Sequence, residues 1–338
     1  MIMPCGPVNG RAPSRNACPD GSVTTVARSR PPVAIVGAGA VAQALGRLMA
    51  AGGEPIVALA SRTRTRAEQA ARFISGLGGG GRLDAADGSS QVFSTIQVVE
   101  IAELPRLATR VLFAVSDQAI EPVAEALASA GMRSGVALHT CGARGPDALR
   151  ALGKTGVACG MLHPLQTILS AEQGVTSLAG ATFGLSGDRE AIEWGDEIVE
   201  MVRVVTGAPG RSLHIEPERT SSYHAGAVMA SNALMAVIDA ATILMTHAGV
   251  RRDDALPAIA PLARTSLENA LGRGPQAALT GPVARGDTAT VAAHTGALKN
   301  VEPTVAKLYE AAALHLLQLA RQRGLPDASV RALQDVLK

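Results

Sequence analysis

Residues 33–46 constrain this chain more than any other stretch. Val33-Ala-Ile-Val36 runs into Gly37-Ala-Gly39 and then into the alanine-rich Ala40-Val-Ala-Gln-Ala-Leu-Gly46. Four apolar residues ended by glycine read as a buried parallel strand, and the alanines as a helix. Strand, tight glycine turn and helix, in that order, build the crevice that takes a dinucleotide pyrophosphate. Gly37 permits the turn, Gly39 lets the backbone approach the phosphates, and Ala42 lets the helix pack close to the strand. Ala38, Ala40 and Val41 flank the helix N-terminus, where oriented N–H groups favour an anion.

The next strand, at 56–60, bears on which dinucleotide is bound. Proteins that bind NAD usually end this strand with a carboxylate that holds the ribose 2′-hydroxyl. This chain has Ser61-Arg-Thr-Arg64 there, and Thr65 with Glu68 has the spacing of a capping box, predicting a helix over 66–74. Arginines at 62, 64 and 66 stand on the wrong side of a helix dipole, at about 0.3–1 kcal/mol per exposed charge. An anion placed among them reverses that penalty. Each arginine alone reads as a solvated surface residue. With the missing carboxylate and the glycine turn upstream, Ser61, Arg62, Thr63 and Arg64 predict a 2′-phosphate site, hence NADP(H) rather than NAD(H).

The 338 residues suffice for two domains. Apolar residues make up 47% but aromatics only 2%, which leaves no stacking platform for single-stranded nucleic acid. A net charge of +2 gives no basic field, so nucleic acid is not an expected partner. Cys5, Cys18, Cys141 and Cys159 contain no C-x-x-C pair and fit a reduced, cytoplasmic protein. Residues 1–30 lack the apolar run of a secretory signal and are expected to form a flexible tail. Residues 225–246 have the length of a bilayer crossing, yet Ser231, Asn232 and Asp239 fall along them. An acid in mid-span is costly in lipid, so the expectation is a helix buried on most sides, in a helical domain or a dimer, and not a membrane span.

Further along, Gly76-Leu-Gly-Gly-Gly-Gly81 is expected as a surface loop, and strands are expected at 96–101, 110–115, 136–138, 157–161 and 181–185. Helices at 118–130 and 189–202 alternate with them, predicting an α/β fold: a Rossmann-type parallel sheet wound on both faces. Ligands of such sheets lie beyond the carboxyl ends of the strands. Gly37, Ser61, Ser116, His139 and His163 fall just past such ends, and Val115, Asp117 and Thr140 stand beside them. From Pro217 the pattern becomes helical, with helices expected over 218–249, 253–271, 288–298, 303–323 and 327–337. Pro257 and Pro261 are expected to bend or shorten the second. The division is thus a tail (1–30), a dinucleotide-binding domain (31–205) and an all-helical domain (206–338).

His224 and Ser231, seven apart on one helix, share a face, and Asn232 lies about 80° round from His224. Such polar groups on an apolar helix need partners. Hydrogen bonding within the helix is the plainer reading for Ser231; for His224, beside Tyr223, a catalytic and a structural role stand level. In Leu279-Thr-Gly-Pro-Val-Ala-Arg-Gly-Asp287, Asp287 is placed to cap a helix that carries His294. Arg285 is placed either as a surface arginine or as a clamp for a substrate carboxylate.

Taken in order, Val36-Gly-Ala-Gly39, Ala114-Val-Ser-Asp117, His139-Thr-Cys-Gly142, Leu162-His-Pro-Leu-Gln-Thr167, Tyr223-His224 with Ser231-Asn232, and the 279–287 segment form a set. The chain resembles the bacterial proteins that join a Rossmann-like domain to a DUF2520 domain. These are relatives of the 6-phosphogluconate dehydrogenase-like, pyrroline-5-carboxylate reductase-like and ketopantoate reductase-like enzymes. Cys141 stands where that family's His-x-Ser-Gly motif has serine. Glu218-Arg-Thr220 precedes Tyr223-His224 where a basic residue often stands, so no catalytic lysine is carried over.

The resemblance implies an NADP-binding Rossmann domain, an all-helical dimerising domain similar to the C-terminal domain of 6-phosphogluconate dehydrogenase, and a cleft between them. The activity expected is reduction of a small carbonyl or imine substrate, with a carboxylate for Arg285 to bind. His224 would donate the proton, Asn232 orient the substrate and His163 act as second donor or interdomain bridge. Ser231 and Gln166 complete the substrate-facing candidates. The alternative is a non-catalytic NADP(H)-responsive protein that engages a partner through its helices. His163, His224 and His294 lack ligand-type spacing, and no metal is expected.

Overall fold

A computed structural model of the chain describes residues 30–76 and 95–338. The tail expected over 1–30, apart from Arg30, and most of the glycine loop expected after Gly76 lie outside the described residues.

The N-terminal half alternates strands and helices: β1 (Val33–Val36), α1 (Ala40–Ala51), β2 (Ile56–Ala60), α2 (Arg64–Ile74), β3 (Gln97–Val98) and α3 (Leu104–Leu107). There follow β4 (Arg110–Phe113), α4 (Ile120–Ser129), β5 (Val136–His139), α5 (Arg150–Gly153) and β6 (Ala158–Pro164). The half closes with α6 (Ala171–Ser177), β7 (Thr182–Gly187), α7 (Arg189–Thr206) and β8 (Arg211–His214).

The strands form one sheet in the order β3-β2-β1-β4-β5-β6-β7-β8. The first six positions are parallel; β7 runs antiparallel to β6, and β8 parallel to β7. Alternate residues serve opposite faces, as strand geometry dictates. Val33 and Ile35 pack under α1, α2 and α7 with Leu45, Ile74 and Trp194. Ala34 and Val36 face α3 and α4 with Leu104, Phe113 and Leu127. The order reverses between β1 and β4, which places a crevice past the carboxyl ends of those two strands.

The sheet differs from expectation in several places: β7 runs antiparallel in a sheet expected to be parallel, and β6 extends to Pro164, so His163 lies on that strand rather than past its end. The strand expected at 96–101 is only Gln97–Val98, followed by a 3-10 turn over Ile101–Glu103. The sheet also continues past residue 205: Arg211–His214 pairs with β7, inside the stretch expected to join the two domains.

The C-terminal half is helical: α8 (Thr220–Ala230), α9 (Asn232–His247), α10 (Arg252–Arg273), α11 (Pro275–Ala278), α12 (Pro282–Arg285), α13 (Thr288–Leu298), α14 (Pro303–Gln322) and α15 (Asp327–Val336). The helix expected over 218–249 is broken at Ser231, whose backbone leaves the helical region at φ −128°, ψ −80°. α10, by contrast, runs through Pro257 and Pro261 without ending. The short helices α11 and α12 pack with α13, α14 and α15, which share a small core of Val283, Val291, Leu317 and Leu333.

The expected burial of 225–246 within the chain is not what the structure shows. No residue of α9 is buried, and α8 and α10 bury only Thr220 and Ala255. By length and composition, Pro217–His247 is apolar enough to cross a membrane, and none of its most apolar 18-residue stretch is buried inside the chain.

Candidate active site

The crevice between β1 and β4 is an open groove of about 430 Å³. Its floor is the turn after β1. Gly37 adopts φ +122°, and a β-carbon there would lie 2.1 Å from the carbonyl oxygen of Ala114, so the two strand ends touch backbone to backbone. Gly39 meets nothing within 4 Å on the side where a β-carbon would project, and it lines the groove with Ala38. Gly39 is also the N-cap of α1; no side chain caps that helix and no acid lies in its first turn. Its first N–H groups, those of Ala40 and Val41 among them, are therefore left for an anion.

One wall comes from β2 and α2. Ser61, Arg62 and Arg66 line the groove. Arg64 does not: its Nε donates to Glu68 Oε1 at 3.1 Å on the outer face of the helix. This corrects two expectations. The helix starts at Arg64 with Thr63 as its N-cap, and Glu68 serves Arg64 rather than a capping box at Thr65. Starting the helix two residues early turns Arg64 outward and brings Arg66 to the groove. The signal is present in the sequence, because Arg64 and Glu68 are spaced i, i+4 and neutralise each other. Arg62 and Arg66 have no anionic partner among the described residues. The opposite wall is Ala114, Val115, Ser116, Pro122 and Val123.

Past Ser116 the strand ends of β4, β5 and β6 meet the start of α8. His163, on β6, accepts or donates at Nδ1 with the Tyr223 hydroxyl at 2.9 Å, and the rings stand edge to face at 89°. The His224 ring lies 5.8 Å from that of His163, centroid to centroid. Burial, with His224 and His139 nearby, lowers the His163 pKa to about 4, against a smaller raising effect of Asp117. Burial raises the Tyr223 hydroxyl to about 12, an effect partly offset by the Gly184 backbone N–H. Burial and the neighbouring Asp117 carry the Cys141 thiol up to about 11, so it stays protonated at neutral pH.

His139, expected among the cofactor-binding residues, is fully buried and does not open on the groove. Its Nε2 meets the Gly145 carbonyl at 3.0 Å, and burial lowers its pKa. Thr140, next to it, ties β5 to β4 by donating its backbone N–H to the Phe113 carbonyl.

Four candidates expected to face the substrate do not line the groove. Gln166 spends its amide on the Ser177 carbonyl and the Thr167 N–H. The Ser231 hydroxyl donates to the Ala227 carbonyl at 2.7 Å and also contacts Asn232 Oδ1 at 3.2 Å, which is the bonding within the helix expected for it. Asn232 stands exposed at the start of α9, and the break at Ser231 takes it off the helix that carries His224. Arg285 is exposed on α12, in a cluster that packs on itself and on α10 rather than on the sheet. Asp287 caps α13 as expected, accepting from the Thr290 N–H at 3.0 Å. Sequence reasoning missed Arg66 and Tyr223. Among the described residues, no cluster of His, Cys, Asp or Glu is arranged to hold a metal ion.

Comparison with known proteins agrees with this layout. Residues 181–316 match the family described as a domain of unknown function, DUF2520. They form a DUF2520 domain. That domain begins at β7, so it includes the antiparallel end of the sheet as well as most of the helices. Among solved structures, protein TM1727 from Thermotoga maritima is 22% identical with a TM-score of 0.65, over 86% of this chain and 99% of its own. BF3122 from Bacteroides fragilis, a candidate NADP oxidoreductase, is 19% identical with a TM-score of 0.60 over the same shares. An imine reductase variant from Myxococcus stipitatus, in complex with NAD+, is 12% identical with a TM-score of 0.52, over 91% of this chain and 99% of its own. At these identities the likeness establishes the fold: a mostly parallel α/β sheet followed by a helical region. No curated protein matches the chain.

Proposed function

We propose that this DUF2520-containing protein is an NADP(H)-dependent reductase of a small carbonyl or imine compound. One observation carries the reading. A groove with an uncapped helix N-terminus and two arginines that have no anionic partner among the described residues leads to a cluster of His163, Tyr223 and His224. The residues present fit the cofactor: the α1 N-terminus suits a pyrophosphate, and Arg62 with Arg66 suits a 2′-phosphate. Bound there, NADPH would supply a hydride to the carbonyl or imine carbon. A proton must then reach the oxygen or nitrogen. His224 is assigned that step, because its ring lies 5.8 Å from that of His163 at the start of α8 and a positioned imidazole can hand on a proton. The relatives' descriptions as NADP oxidoreductase and imine reductase support the class of reaction.

The same reading gives the bare faces of α8, α9 and α10 a second copy of the chain as their cover. Met229, Met235, Leu262, Leu267 and Leu271 are exposed there. Asp239 in mid-span and the break at Ser231 oppose a lipid environment, whereas a two-fold pair of identical apolar faces is self-complementary. A cytoplasmic dimer is thus proposed; light scattering of the purified chain as a monomer would contradict it.

The direct test is NADPH oxidation across a panel of keto acids, aldehydes and cyclic imines. Turnover that falls by about 10²-fold in His224→Ala supports the assignment. Cofactor binding with no turnover on any member would favour the non-catalytic, partner-binding alternative.

A further inference from the structure

His163 and Tyr223 come from separate halves of the chain, and backbone fixes both rings. A β-carbon at Gly184 would lie 2.3 Å from the Tyr223 hydroxyl, and one at Gly142 would lie 2.6–2.7 Å from three atoms of the His163 ring. The absent side chains are what make room for the pair. A phenol has a single proton. Among the described residues no group other than His163 Nδ1, at 2.9 Å, is placed to accept it. An imidazole whose Nδ1 accepts a hydrogen bond carries its own proton on Nε2. The Nε2 of His163 has no hydrogen-bond partner among the described residues and is not sealed from solvent. His139, one strand away, shows the contrast: its Nε2 is taken by the Gly145 carbonyl and its Nδ1 is sealed without a partner.

We infer that Tyr223 is a positioning residue: it holds His163 as the neutral Nε2–H tautomer, whose N–H donates a hydrogen bond to the substrate's oxygen or nitrogen. The inference rests on the reductase reading and names a task within it. A neutral imidazole N–H polarises C=O or C=N without surrendering its proton, so proton delivery stays with His224. The groups facing His163 are Tyr223 and His224 from α8, His139 from β5 and Asp117 from the turn after β4. Burial and the two histidines disfavour a charge on His163 more strongly than Asp117 favours one, which keeps the ring neutral at working pH.

The test is ¹⁵N spectroscopy of histidine-labelled full-length protein, which needs neither cofactor nor substrate. The expected His163 pattern is Nε2 protonated and Nδ1 bare, unchanged from about pH 8 to about pH 5.5. Tyr223→Phe gives a mixed-tautomer pattern, and Gly184→Ala, which displaces the hydroxyl, gives the same. In turnover with NADPH, Tyr223→Phe lowers kcat about tenfold and leaves KM within about twofold. A wild-type Nδ1-protonated pattern, or a pattern indifferent to both variants, overturns the inference. The expected pattern in a protein that turns over no substrate would uphold the tautomer lock and defeat the reductase reading instead.

Discussion

The Trp194 indole donates its Nε1–H to Glu54 Oε1 at 3.0 Å, joining α7 to the turn before β2 through a carboxylate whose side chain is wholly buried. Arg110 and Arg30 approach the same carboxylate at 3.3 and 3.4 Å, and Arg110 lies over the indole face, 5.4 Å from its centroid. Removing one member of such a buried cluster strands the others. Glu54→Ala is expected to cost about 3 kcal/mol in urea unfolding, and Glu54→Gln, which keeps an acceptor for Trp194, less than half of that. Because the cluster stands at the opposite end of the sheet from the groove, cofactor affinity of the folded variant should be unchanged.

Two glycines of one turn should fail in different ways. Gly37→Ala combines positive φ with a 2.1 Å collision against Ala114, and it is expected to lower stability enough to be seen by thermal unfolding. Gly39→Ala adds a methyl where nothing stands within 4 Å, so the fold should be kept while NADPH affinity drops at least about tenfold. Equal behaviour of the two variants in both assays would show that the groove is not where the nucleotide lies.

Acid should destabilise the protein over a defined window. His163, lowered to about 4 from 6.5, is neutral in the fold and takes up a proton more readily when unfolded. Its stabilising contribution is therefore present above pH 6.5 and is lost as pH falls toward 4, by about 2 kcal/mol at pH 5. His139 is shifted in the same direction and adds to the slope. Urea midpoints measured between pH 7 and pH 5 should fall, and less steeply in His163→Asn; a flat profile would contradict the buried, neutral imidazole.

What could be read from the sequence follows how local each signal is. β1 and β2 are apolar runs that touch core on both faces, and their bounds match the expectation residue for residue. α13, begun by the Asp287 cap, matches as well. β8 carries Arg211, Leu213 and His214 exposed on a sheet edge; having no buried face, it leaves no hydrophobic pattern to read. The apolar span in α8 and α9 is plain in the sequence, but an apolar helix reads alike in a core and on an exposed face, and here none of α9 is buried.

In the site, the glycine turn was legible because the backbone itself is the part that lines the groove. The exchange of Arg64 for Arg66 turned on two residues of helix phase, within the usual error of a helix start. The pairing of His163 with Tyr223 spans 60 positions and depends on glycines at 142 and 184 making space, which no local pattern records.

The central claim is that a 2′-phosphate belongs beside Arg62 and Arg66. Parallel titrations of the full-length protein with NADPH and NADH, followed by nicotinamide fluorescence, test it most directly. The account predicts that NADPH binds at least about tenfold more tightly, that Arg62→Ala or Arg66→Ala erases the preference, and that Arg64→Ala leaves it in place. Equal affinity for the two cofactors, or no binding of either at about millimolar concentration, would contradict it.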